Sequence, residues 1–148
     1  MKCMGYWPPY LGTGIRVVHF NQDLTEIDVQ MTLHFWNRNY VGTHFGGSIY
    51  AMVDPFFMLM LINQLGRNYI VWDKAAVVRF KKPGRGAIKA QFRLNKDQVE
   101  SFKSDLLVQG KIEPIFIVLV LDESGETIAE VEKTIYIRQK NFERPPKR

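Results

Sequence analysis

One segment constrains this chain more than any other. From Ser48 to Leu65 apolar residues occupy nearly every helical face, broken by a carboxylate at Asp54 and a proline at Pro55. A helix that is apolar all round has to be buried. Most of the remaining chain alternates apolar and polar residues with period two, the signature of strands with one wet face and one dry face. The fold class to expect is therefore α+β, with five or six antiparallel, locally connected strands gathered around one buried helix.

The strands can be placed along the chain. Ile15–Phe20 and Ile27–Leu33 come first, and the second alternates strictly. Tyr69–Trp72 follows the helix after a stop at Gly66, and strand pattern resumes over Ala75–Phe80. Ile88–Leu94 has Lys89, Gln91 and Arg93 on its outward face, and Asn95 caps an amphipathic helix over Lys96–Leu107. Ile115–Leu121 and Thr127–Ile137 form a final hairpin around Asp122–Glu126, and the lead-in Tyr6–Gly14 is rich in turn residues.

At 148 residues the sequence reads as one domain, residues 1–148, with a basic tail over 141–148. An apolar fraction of 46% and a charged fraction of 24% are those of a globular chain and argue against disorder. The formal net charge of +5 suggests nucleic acid or an anionic membrane until its distribution is considered. From Lys133 to Arg148 there are six positive side chains and one negative, so the preceding body is neutral. Basic and aromatic residues do not interleave outside the tail, which argues against nucleic-acid binding. The apolar run Pro55–Ile62 is too short for a bilayer, and Met1–Tyr10 has no secretory apolar region. The single cysteine, Cys3, permits neither an internal disulfide nor a cysteine zinc site, so a cytoplasmic setting without membrane contact is expected.

The chemistry-bearing residues are few. His19, His34 and His44 have no ligand spacing, so no metal is expected, and neither a nucleophile elbow nor a phosphate-binding glycine loop is present. Polar groups, glycines and an apolar wall converge only between Asn39 and Asp54. Gly46-Gly47 at a helix start leave free N–H groups that can hold a carbonyl oxygen, or they can serve close packing alone. Asp54 can be a reactive carboxylate in apolar surroundings, or it can cap a second helix beginning at Pro55. Spacing does not choose between these readings. His44 reads more simply as a satisfied loop histidine than as a base.

The segment Asn39-Tyr40-Val41-Gly42-Thr43-His44-Phe45-Gly46-Gly47-Ser48-Ile49-Tyr50-Ala51-Met52-Val53-Asp54 resembles the signature of hotdog-fold thioesterases of the phenylacetic-acid-degradation (PaaI-like) type. In that signature an Asn is followed six residues later by His-Gly-Gly, and an acidic residue stands eight beyond the first Gly. Asn39, Gly46, Gly47 and Asp54 match in register, while Phe45 replaces the usual His and His44 stands one position early. The segments Tyr69–Ala76 and Arg79–Gly86 resemble the DUF4442 branch of thioesterase-like proteins, and the likeness runs from about Gly12 to Lys140.

The resemblance implies a hotdog fold, an antiparallel sheet wrapped around a long central helix, acting as a homodimer or dimer of dimers. It implies hydrolysis of an acyl-CoA or acyl-carrier thioester, with coenzyme A present as part of the substrate rather than as a cofactor. Asp54 would be general base or nucleophile, the Gly46 N–H would hold the oxyanion, and Asn39 would orient water or the carboxylate. Gly47, His44, Phe45, Asp73, Lys74, Lys82 and Arg85 would contact substrate, with Asp73 and Lys74 reaching Asp54 of the partner chain. Phe56, Phe57, Met58 and Met60 would offer an acyl wall, or simply be core. The rivals are a non-catalytic acyl-CoA binding protein, in which Phe45 marks a lost site, and a hotdog dehydratase.

Overall fold

A computed structural model describes residues 7–142. Cys3 and the tail beyond residue 142 lie outside the described residues. The elements are α1 (Pro8–Leu11), β1 (Ile15–Phe20), β2 (Glu26–Thr32), α2 (Gly46–Val53), α3 (Phe56–Leu65), β3 (Tyr69–Phe80), β4 (Ala87–Arg93), α4 (Lys96–Gln109), β5 (Lys111–Ile112), β6 (Ile115–Asp122) and β7 (Thr127–Gln139). The strands form one antiparallel sheet in the order β1-β2-β4-β6-β7-β3, with β5 also paired to β7.

Alternation decides which face packs inward. Ile27, Val29 and Met31 of β2, Ile88, Ala90 and Phe92 of β4, and Phe116, Val118 and Val120 of β6 are buried, while Lys89, Gln91 and Arg93 point out. Met52, Val53, Phe56, Met60 and Leu61 of the central helical segment fill the concave side. By length and composition Gly46–Leu65 could also cross a membrane, at a mean hydropathy of 1.3, but here it is the helix that the sheet wraps. This is the hotdog architecture.

Several sequence expectations are refined. The central helix is two helices, because Pro55 supplies no N–H and disfavours helical continuation from the residue before it. Tyr69–Trp72 and Ala75–Phe80 are one strand, not two. A register shift between Asp73 and Ala75 takes up the irregularity as a bulge against β7. The short α1 and β5 were not legible, whereas Asn95 does cap α4 and does so through a capping box. Phe56 and Phe57 are core: Phe56 packs against Phe92, and Phe57 stacks on Phe116 at 4.4 Å between ring centroids. They do not form an open acyl wall.

Candidate functional site

The central helical segment has two polar ends, and each is built differently. At its start Phe45 sits in extended conformation, and its carbonyl accepts from the Ser48 and Ile49 N–H groups. The Gly46 and Gly47 N–H groups, in the first helical positions, have no intrahelical acceptor, as at any helix start. Two phenyl rings crowd both glycine positions. A Cβ on Gly46 would lie 2.9 Å from Phe80 Cζ, and one on Gly47 would lie 2.5 Å from Phe45 Cε1. A side chain at either position would have to push a ring aside, and the packing leaves the N–H groups without an acceptor among the described residues.

A cleft of about 550 Å³ opens beside this helix start, lined among others by His44, Gly46, Ile49, Phe80, Lys82 and Arg85. Asn39 also lines it, yet its carboxamide is spent on its own loop. Its Oδ1 accepts from the Val41 and Thr43 N–H groups, and its Nδ2 donates to Thr43 Oγ1 and the His44 carbonyl. Asn39 shapes the loop that presents Gly46 and is not free to orient a water at Asp54. His44 is buried, with its Nε2 3.0 Å from the Gly86 carbonyl and its own N–H donating to Gly84 O. Burial lowers its pKa, opposed by the Gly86 contact, so the imidazole is held as a neutral clasp between two loops. Lys82 is paired with Glu126 at 2.6 Å, whereas Arg85 is an exposed cation on the rim.

The far end of α2 holds Asp54. It does not cap α3: the N-cap position is Pro55, Asp54 is helical, and its side chain turns to the sheet. Lys133 Nζ, fully buried, donates to Asp54 Oδ1 at 2.8 Å and lies 2.7 Å from Asp73 Oδ1. The second contact lacks hydrogen-bond alignment, so it is an attraction of charges. The Asp54 side chain is 43% exposed and that of Lys133 is 0%, so the carboxylate faces solvent with the ammonium behind it. Burial alone would lower the Lys133 pKa, but the two carboxylates outweigh it and raise it. Burial raises Asp73, against the pull of Lys133. Tyr50, whose ring centroid is 5.2 Å from Lys133 Nζ, and Tyr10, which donates to Ala51 O, are both raised by burial and then by the Asp54 anion.

This cluster bears on two expectations. Asp73 reaches Asp54 of its own chain, through Lys133, because its pairing opposite Ile135 puts it on the same face of the sheet as Lys133 of β7. Lys74 does not take part and pairs with Glu113 at 2.6 Å. Lys133 opens the basic stretch formed by the last strand and the tail, yet β7 buries it in phase with Val131, Ile135 and Ile137. That phase is visible in the sequence, and a lysine in it is the signal that the charge tally concealed. Among the described residues, no group of three or more His, Cys, Asp or Glu is placed to hold a metal ion.

Comparison with known sequences settles the kinship. The profile of the family described as "Domain of unknown function (DUF4442)" matches residues 2–137. The chain belongs to the DUF4442 family. No curated protein matches it by sequence. Among solved structures, this DUF4442 chain is similar to a Pseudomonas aeruginosa protein of unknown function described as a probable thioesterase. That pair is 20% identical, covers 88% of this chain and 86% of the other, and has a TM-score of 0.76. A Haemophilus influenzae thioesterase is 14% identical over 93% and 87% of the chains, with a TM-score of 0.68. The E. coli PaaI protein of the phenylacetic acid degradation operon is 16% identical over 87% and 81%, with a TM-score of 0.59. At these identities the likeness establishes the shared hotdog fold.

Proposed function

We propose that this DUF4442 protein is an acyl-CoA thioesterase of the cytoplasm whose site is completed by a second copy of the chain. The observation that carries the reading is the placement of Asp54 as a solvent-facing carboxylate, anchored through one oxygen, on the helical segment that starts at Gly46. A helix start gives an oxyanion site and a carboxylate gives a base, the two parts that thioester hydrolysis requires.

The two parts cannot meet within one chain. Gly46 and Asp54 are eight residues apart, or about 12 Å along a helix axis, too far to act on one carbonyl. A two-fold partner would bring Gly46 of one protomer to Asp54 of the other. Two features support such a partner. Among the described residues the strand β3, twelve residues long, ends the sheet with an unpaired edge and exposes Trp72, Val77 and Phe80. Phe35, Trp36, Tyr40 and Phe45 of the loop before α2 are also exposed.

In the reaction Asp54 takes a proton from water as the water oxygen bonds to the thioester carbon. The displaced carbonyl electron pair rests on an oxygen held by the Gly46 N–H. The C–S bond then breaks, and the departing thiolate recovers the proton from Asp54, leaving free acid and thiol. Arg85 and Lys81 on the cleft rim suit the phosphates of a coenzyme A carrier. The test measures thiol release from acetyl-, octanoyl-, benzoyl- and palmitoyl-CoA. Hydrolysis of at least one, lowered about 100-fold or more by Asp54→Asn, is expected. Absence of turnover on all four, or an undiminished variant, contradicts it.

One observation favours a second reading, a binder of acyl-CoA without hydrolysis. Phe45 stands where the family signature has His, and its ring lies over Gly47 at the helix start. Stoichiometric acyl-CoA binding with no thiol released would select that reading.

A further inference from the structure

Lys133 is the one lysine among the described residues that is fully buried, and it touches two carboxylates from two different elements. One carboxylate would neutralise it, so the second needs an explanation. Asp54 is the more exposed of the two and is the group assigned to take up a proton, and a carboxylate that does so stops compensating its ammonium. Without another anion, Lys133 would be left buried and unpaired in mid-reaction.

We propose that Lys133 and Asp73 are positioning residues that act through Asp54: the ammonium holds one Asp54 oxygen in place, and Asp73 compensates that ammonium while Asp54 is neutral. This rests on the thioesterase reading for its catalytic meaning, although the coupling itself does not need turnover. Lys133 fixes the rotamer of Asp54 so that its second oxygen faces the solvent side. Asp73 lowers the cost of protonating Asp54, because the buried positive charge never loses its last partner. The groups that face the cluster are Tyr10 of α1, Tyr50 of α2, Asp73 of β3 and Lys133 of β7. Both tyrosines are raised and stay neutral through the working range, so the carboxylates and the ammonium set its pH response.

The two neighbours then pull in opposite directions, and this separates the proposal from a merely structural role. With the fastest of the four CoA thioesters as probe, Lys133→Gln moves the acid limb of the kcat profile to higher pH, by about one pH unit or more. Asp73→Asn moves the same limb to lower pH and reduces kcat at neutral pH, with KM little changed. Lys133→Arg, which keeps the charge, holds the limb near that of the parent. Should Lys133→Gln fail to fold, Asp73→Asn and Lys133→Arg still decide the matter. Limbs that stay in place, or that both move the same way, overturn the proposal.

A readout independent of catalysis is the ¹³C titration of the Asp73 carboxyl. Asp54→Asn should shift it to lower pH, because Asp73 loses a repelling neighbour and gains sole use of Lys133. An unchanged Asp73 titration overturns the proposal even in an active enzyme. A shifted one upholds the coupling even where no thioester is turned over.

Discussion

The two ends of α2 show two ways of keeping a polar group useful beside an apolar core. At Gly46 the useful groups are backbone N–H donors. They have no intrahelical acceptor, at a helix start where glycine leaves room for two phenyl rings and where Asn39 and His44 tie the neighbouring loops. At Asp54 the useful group is a charge, kept near the core because a buried lysine and a second carboxylate balance it. The first end depends on shape and the second on electrostatics. They should therefore fail differently, one through added volume and the other through altered charge.

Volume at the first end should have the largest effect. Gly46→Ala places a methyl 2.9 Å from Phe80 Cζ, so the ring or the helix start must move. A loss of about 10²-fold or more in kcat is expected, on the scale of losing one oxyanion donor. Phe80→Leu in the same chain should restore part of it, and steady-state kinetics of the single and double variants check this. No recovery would mean that the ring is not what the methyl meets.

Charge at the cleft rim should have a smaller effect, and an unequal one. Lys82 already has Glu126 at 2.6 Å, whereas Arg85 has no ion-pair partner among the described residues, so Arg85→Ala should weaken acyl-CoA binding more than Lys82→Ala. A rise in KM of about 3- to 10-fold with kcat unchanged fits one lost phosphate contact. The same variants assayed on acyl-pantetheine, which lacks the nucleotide phosphates, should match the parent.

The smallest effect is that of pH on the loop clasp. Burial lowers the pKa of His44 from its ordinary value of 6.5, so the unfolded chain binds the proton more readily than the folded one. The clasp's contribution is full above about pH 6.5 and is lost as pH falls toward the lowered value. Acidification should loosen the loops around residues 39–47 and 83–86 first, seen as faster amide exchange there. His44→Gln should remove that part of the pH dependence.

How much of this was legible in the sequence follows from the range of each interaction. The antiparallel α+β layout, the buried helix and the Asn95 cap depend on local periodicity and capping chemistry, and the residues announce them, whereas the hotdog fold is what the resemblance of Asn39–Asp54 to a family signature implies. The break at Asp54-Pro55 was legible too, but the role of Asp54 was not. Its partner Lys133 is 79 residues away and joined to it only by the sheet. Counting charge by segment groups Lys133 with the basic end of the chain, while the alternation of β7 places it inward among Val131, Ile135 and Ile137. Asn39 shows the opposite difficulty. It stands in the signature position, yet its four hydrogen bonds are spent on closing its own loop, which only the folded backbone reveals.

If Gly46 of one copy works with Asp54 of another, mixing two inactive variants should restore activity. Asp54→Asn and Gly46→Ala proteins, each nearly inactive, are unfolded and refolded together in equal amounts. Statistical pairing makes about half of the dimers mixed, each with one intact site of two, so about one quarter of parent activity should return. Activity no greater than the sum of the two variants refolded separately would contradict a shared site.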